Sequence, residues 1–181
     1  CLDFKGQVDL NIHPDVLASS TVLEKGTNKL TNGFKRNVDV DKLDNLFFDD
    51  IKSFDGEIIL KIDVQGPNLD VIRGSNNILR SGKIAAILIE LYIHDLFDTK
   101  ESCNPYQVFK LLDSYGFRIF DLHSLYFAPS DNALVQFDAI FLKKESSAFL
   151  DRIAETDSQR IISNRECIER YENLGLNKFE E

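Results

Sequence analysis

The chain has 181 residues, of which 43% are hydrophobic and 28% charged, with a formal net charge of -9. These proportions belong to a globular domain with enough chain to bury a core, and the acidic balance argues against nucleic acid as a main partner, because phosphate-backbone binding calls for a basic face. No apolar run approaches the roughly 20 residues of a membrane helix, and the start lacks the basic-then-apolar layout of a signal peptide, so the expected compartment is the cytoplasm.

The first element expected is a half-buried strand at Gln7 to Ile12 (QVDLNI), where polar and apolar side chains alternate. His13 to Asn37 is polar, holds Ser19, Ser20 and Thr21 in a row, and reads as a long loop of the kind that is usually functional or mobile. Val38 to Leu46 (VDVDKLDNL) is read as a short strand and a helical turn. Ile58, Ile59, Leu60, Ile62 and Val64 form a near-continuous apolar run, the pattern of a strand covered on both faces of a sheet.

After Pro67, Leu69 to Leu79 has approximately helical spacing with Gly82 as its stop. Lys83 to Ile93 is a second apolar strand, and Pro105 to Ser114 a helix with Val108, Leu111 and Leu112 inward and Gly116 as its C-terminal cap. Phe117 to Phe127 and Ala133 to Lys143 are two strands joined through the turn sequence PSDN, so they run antiparallel. Residues 146–181 are expected to form a charged helical extension behind a domain at 1–145. Alternating strands and helices point to an α/β fold with a mostly parallel sheet.

Three cysteines, Cys1, Cys103 and Cys167, are odd in number and contain no C-x-x-C pair, which indicates neither a disulfide framework nor a zinc site. The absence of methionine and the strand-like opening CLDFKGQVDL suggest an internal piece of a longer protein.

The run ILKID ends in Asp63 and AAILIE ends in Glu90. In consecutive β-α-β units the carboxyl ends of parallel strands share the sheet edge where open α/β folds bind ligands, so both acids are expected on one crevice. Lys61 lies two residues from Asp63, on the same strand face. As chemistry, the three would be a general base with its positioning groups, or part of a cation site. As structure, they would be an ion pair that closes the strand and caps the next helix; composition by itself modestly favours that account. A metal-dependent hydrolase built on Asp63 and Glu90 is disfavoured by the lack of a histidine-carboxylate cluster.

The stretch KIDVQGPNLDVIRG resembles the K-I-D-V-E-G-x-E-x-x-V-L-x-G motif of the FkbM family of methyltransferases. VDVDKLDNL is similar to that family's strand and L-D-D-L segment, AAILIEL to its next strand ending in glutamate, and YGFRIFDL with QFDAIFLK to its closing strand pair. The resemblance implies a Rossmann-like domain, truncated at the N-terminal side, that uses S-adenosyl-L-methionine to methylate a hydroxyl of a small-molecule acceptor such as a sugar or natural product. The family's glycine-rich cofactor turn is absent from these residues, so no cofactor-binding residue is assigned and the fragment by itself is expected to be inactive.

Under this resemblance Asp63, Lys61 and Glu90 are the catalytic candidates, with Gln65, His94 and Ser20 as candidate acceptor-binding residues and no metal. Gln65 and Asn68 stand where the family has glutamates, which keeps hydrogen bonding and removes charge. His94 and Ser20 have blander accounts as an exposed loop histidine and a polar turn; His13 and His123 are read as bystanders, and Arg73 as a helix residue reaching Asp70. The rival of another class is a non-catalytic interaction module that keeps the sheet without the cofactor half.

Overall fold

The computed structural model describes residues 1–12, 20, 34–93 and 104–146. The chain divides into two units, Cys1–Lys143 and Lys144–Glu181, and the elements below belong to the first. The expected helical extension at 146–181 lies almost wholly outside the described residues.

Strand β1 (Gly6–Ile12) pairs antiparallel with β2 (Phe34–Val40), from Gly6 opposite Val40 to Ile12 opposite Phe34. The two form a sheet of their own. Phe34 to Asn37 thus belong to a strand, where the polar composition suggested loop. The helical turn expected near Leu46 is a full helix, α1 (Leu43–Ser53). Its first-turn Asp44 accepts from the backbone N–H groups of Asn77 and Ile78, each at 2.9 Å, so an acid of one helix caps the start of another.

Strands β3 (Ile58–Ile62), β4 (Ile84–Tyr92), β5 (Phe117–Phe127) and β6 (Leu134–Lys143) make the main sheet in the order β3-β4-β6-β5. β3 and β4 are parallel, while β6 runs against both β4 and β5. Three strands therefore share a direction, yet two of the three ladders are antiparallel. The sheet is mixed rather than mostly parallel because the returning strand β6 inserts between β4 and β5.

β3 corrects a second expectation. It is an edge strand among the described residues, and its run IILKI is covered on one face only. Ile62 is buried, whereas Ile59 is 72% exposed. Register places Leu60 and Ile62 beside Ile87 and Ile89 on the covered face, and Ile59 and Lys61 beside Ala86 and Leu88 on the other. The covered face carries the core: Ile87, Ile89 and Leu91 of β4 and Phe137, Ala139 and Phe141 of β6 are all buried. Against them pack Leu69 and Ile72 of α2 (Asn68–Arg73), Ile78 and Leu79 of α3 (Asn76–Arg80), and Val108 and Leu112 of α4 (Pro105–Ser114). Each such side chain contributes about 1.5–3 kcal/mol on burial. Phe109 meets Phe137 and Phe141 edge to face, at centroid distances of 6.5 and 5.4 Å.

The single helix expected over Leu69 to Leu79 is two short ones, α2 and α3, separated at Gly74 and Ser75. Gly74 has ordinary helical torsions, φ -70 and ψ -3, so its backbone makes no demand for glycine. Space does: a Cβ there would sit 2.1 Å from the backbone oxygen of Leu2. Gly82 (φ +77) and Gly116 (φ +84) do take left-handed torsions, as their readings as helix stops require. Asn104 caps α4, accepting from the N–H groups of Tyr106 and Gln107. Among the described residues no helix is long and apolar enough to cross a membrane.

Candidate active site at the ends of β3 and β4

β3 ends at Ile62, and the chain then turns sharply into α2. Gln65 and Gly66 make the turn with φ of 52 and 126. Pro67 holds the N-cap position of α2, and Asn68 opens the helix. Asn68 is 1% exposed; its Nδ2 donates to the backbone oxygen of Glu90 at 2.9 Å and so ties the start of α2 to the end of β4. The Asn68 Oδ1 is buried without a hydrogen-bond partner in the described structure, an arrangement that costs about 1–3 kcal/mol.

The turn brings Asp63 and Glu90 together through Gln65. The Gln65 Nε2 donates to Asp63 Oδ1 at 3.2 Å and to Glu90 Oε1 at 2.9 Å. Lys61 Nζ holds the other Asp63 oxygen, Oδ2, at 3.0 Å. This pair is not buried: the Lys61 side chain is 64% exposed and that of Asp63 38%. The charges that looked anomalous inside an apolar strand occupy the open face and open end of an edge strand, so no large desolvation cost attaches to them. The hydrogen bond from Lys61 to Asp63 raises the lysine pKa, with the charges of Asp63, Asp138 and Glu90 adding and desolvation opposing.

Glu90 is more enclosed. Its Oε1 accepts from the Tyr92 hydroxyl in addition to Gln65, and its Oε2 accepts from Gln136 Nε2 at 2.8 Å. The Tyr92 oxygen also lies 2.8 Å from Gln65 Oε1, so its one proton is shared between two acceptors. Tyr92 is 7% exposed. Burial, then the bond to Glu90 and the charges of Glu90 and Asp63, push its pKa upward, against a lowering from Gln65. Tyr92 therefore stays a donor across the physiological range. With three donors on Glu90, little capacity remains for it to take a proton from a ligand. The exposed carboxylate of Asp63 keeps a lone pair on each oxygen.

The polar row continues across the sheet. Glu90 is in register with Asp138 of β6, and Asp138 with His123 of β5, whose Nδ1 lies 3.8 Å from the Asp138 carboxylate. Tyr92 was legible in principle, two residues beyond Glu90 on one strand face; Gln136, Asp138 and His123 join only through strand register. Of the other expected residues, His94 lies outside the described residues. Ser20 is half-buried and lies in neither helix nor strand. Arg73 does reach Asp70, at 3.5 Å. Among the described residues no group of three histidine, cysteine, aspartate or glutamate side chains is placed to hold a metal. A groove of about 470 Å³ between β1, β2 and α1, lined by Lys5, Gln7, Asp39 and Leu46 among others, shares no residue with this edge.

A search of curated proteins and a search of solved structures each return no match. The family model described as the Methyltransferase FkbM domain matches residues 8–119, more than half of the chain, and the matched span runs from within β1 to the start of β5. It contains Lys61, Asp63, Gln65 and Glu90, and the chain belongs to the FkbM methyltransferase domain family.

Proposed function

We propose that this methyltransferase domain acts on a hydroxyl of a small-molecule acceptor of sugar or natural-product type, with Asp63 accepting the O–H that is to be methylated, on a Rossmann-like framework. The observation that carries this reading is the family match over the span that holds the Asp63–Gln65–Glu90 edge. S-adenosyl-L-methionine, when bound, supplies the electrophilic methyl group. No residue of the edge is assigned to that cofactor: with three donors on Glu90 a single lone pair is left, on Oε2, too few to accept from both hydroxyls of a ribose.

What the edge fits is one hydroxyl at a time. Asp63 is held at both oxygens, by Gln65 and by Lys61, so its carboxylate presents a fixed direction to an incoming O–H. Its main contribution is then alignment of the acceptor oxygen, with the proton moving toward Asp63 as the new O–C bond forms. Glu90, Tyr92 and Gln136 support this arrangement from behind.

The test is single-turnover transfer of a labelled methyl group from S-adenosyl-L-methionine to hydroxylated acceptors by the longer parent protein expected to carry the cofactor turn, with wild type and Asp63→Asn compared alongside their melting curves. Transfer should fall by about a hundredfold or more. Stability should change little, because an ion pair this exposed is worth only about 0–1 kcal/mol. An Asp63→Asn variant with wild-type transfer would remove Asp63 from the reaction. A longer parent protein, with the cofactor turn present, that transfers label to no hydroxylated acceptor would overturn the catalytic reading in favour of an interaction module.

A further inference from the structure

Asp63 Oδ1 and Glu90 Oε1 both lie within hydrogen-bond reach of one nitrogen, the Gln65 Nε2, at 3.2 and 2.9 Å, so the two carboxylates stand side by side. Acids held this close ordinarily share a proton or take up a cation. A primary carboxamide offers a third solution, since its two N–H bonds can serve one carboxylate each. We propose that Gln65 is a positioning residue whose carboxamide bridges Asp63 and Glu90, taking the place between the two carboxylates that a shared proton or a bound metal cation would otherwise fill.

Backbone conformation supports a side-chain reason for glutamine at this position. At φ 52 Gln65 sits in the left-handed region, which glycine or asparagine enters more readily. Every polar group of its amide is engaged, the oxygen by Tyr92 and the nitrogen by the two acids. The groups facing the pair are Lys61 of β3 on Asp63, Tyr92 of β4 and Gln136 of β6 on Glu90, Asn68 of α2 on the Glu90 backbone, and Asp138 of β6 with His123 of β5 beside it. Gln65 contacts both carboxylates. The inference stands independently of methyl transfer, because its readouts are melting temperature and cation binding.

Two variants of the full chain test it between pH 3 and pH 8. Gln65→Asn accepts the left-handed backbone but is one methylene too short to reach both acids. Without the bridge the folded protein holds a proton more tightly than the unfolded one, and stability present at low pH is lost as pH rises. The melting-temperature deficit relative to wild type should widen from pH 3 to pH 8 by about 3–5 °C for each tenfold gain in proton affinity. The His123–Asp138 pair is common to both proteins and cancels in that difference.

Gln65→Glu places a third carboxylate among the two and should show the same widening. At pH 8, millimolar Ca²⁺ should restore its melting temperature and bind measurably by calorimetry, with wild type unaffected. If Gln65→Glu does not fold, Gln65→Asn decides alone. A Gln65→Asn curve parallel to wild type across this pH range overturns the proposal. So does a folded Gln65→Glu that shows neither pH slope nor Ca²⁺ response.

Discussion

Gly74→Ala is the substitution whose cost can be worked most directly from the coordinates. Its Cβ would stand 2.1 Å from the Leu2 backbone oxygen, 3.0 Å from the Leu2 carbonyl carbon and 3.3 Å from the Asp3 Cα. Those are backbone atoms, so no rotamer change relieves the clash, and the segment at Leu2 and Asp3 has to move by about an ångström or more to reach ordinary contact. Leu2 is 6% exposed and its N–H donates to the Asp41 oxygen at 3.2 Å. If the segment shifts but stays docked, the cost is that of overpacking, about 1–3 kcal/mol. If it leaves, losing the Leu2 burial and one hydrogen bond, the cost rises to about 2–4 kcal/mol. For a chain of this size the melting temperature should drop by about 3–15 °C. Thermal unfolding followed by circular dichroism measures this, and the same substitution in a chain lacking residues 1–3 supplies the control. There the alanine should cost almost nothing. A full penalty in the shortened chain, or no change in the complete one, would refute the close approach as the reason for glycine.

Other outcomes follow from the site and from electrostatics. Tyr92→Phe removes the hydroxyl donor of Glu90 from a largely buried position, a bond to a charged group worth about 1.5–3 kcal/mol, and should lower the melting temperature by about 3–12 °C while the far-ultraviolet spectrum is unchanged. Asp70 has its pKa raised, first by burial and then by the charge of Asp3, with Arg73 opposing. A carboxyl whose proton affinity is higher in the folded state stabilises below its unfolded pKa and loses that contribution as pH rises through the folded one. Asp70→Asn should therefore melt above wild type at pH 7, with the advantage shrinking toward pH 4; an advantage that grows on acidification would contradict the sign.

The elements with strong local signals were legible in the chain itself. The alternation of Gln7 to Ile12, the apolar run of β4, the span of α4 from Pro105 to Ser114 and the antiparallel return of β6 all stand as read. So does the convergence of Asp63 and Glu90 on one edge, because strand ends in consecutive units follow from chain order. Family membership was legible too, in the spacing of KIDVQGPNLDVIRG.

What local pattern could not supply was which element lies beside which. An apolar run reads alike in a central strand and in an edge strand, since hydrophobicity records the side chain and not its neighbour. Only the strand order reveals that Ile59 and Lys61 face outward, and with that the exposed character of the Lys61–Asp63 pair. The break between α2 and α3 contains no proline; its glycine answers to Leu2, a residue distant along the chain. Gln136 and Asp138 join the candidate site through a register set by β6 entering between β4 and β5. Sequence determined the residues capable of the chemistry, and tertiary packing decided which of them are held in place and which remain open to a ligand.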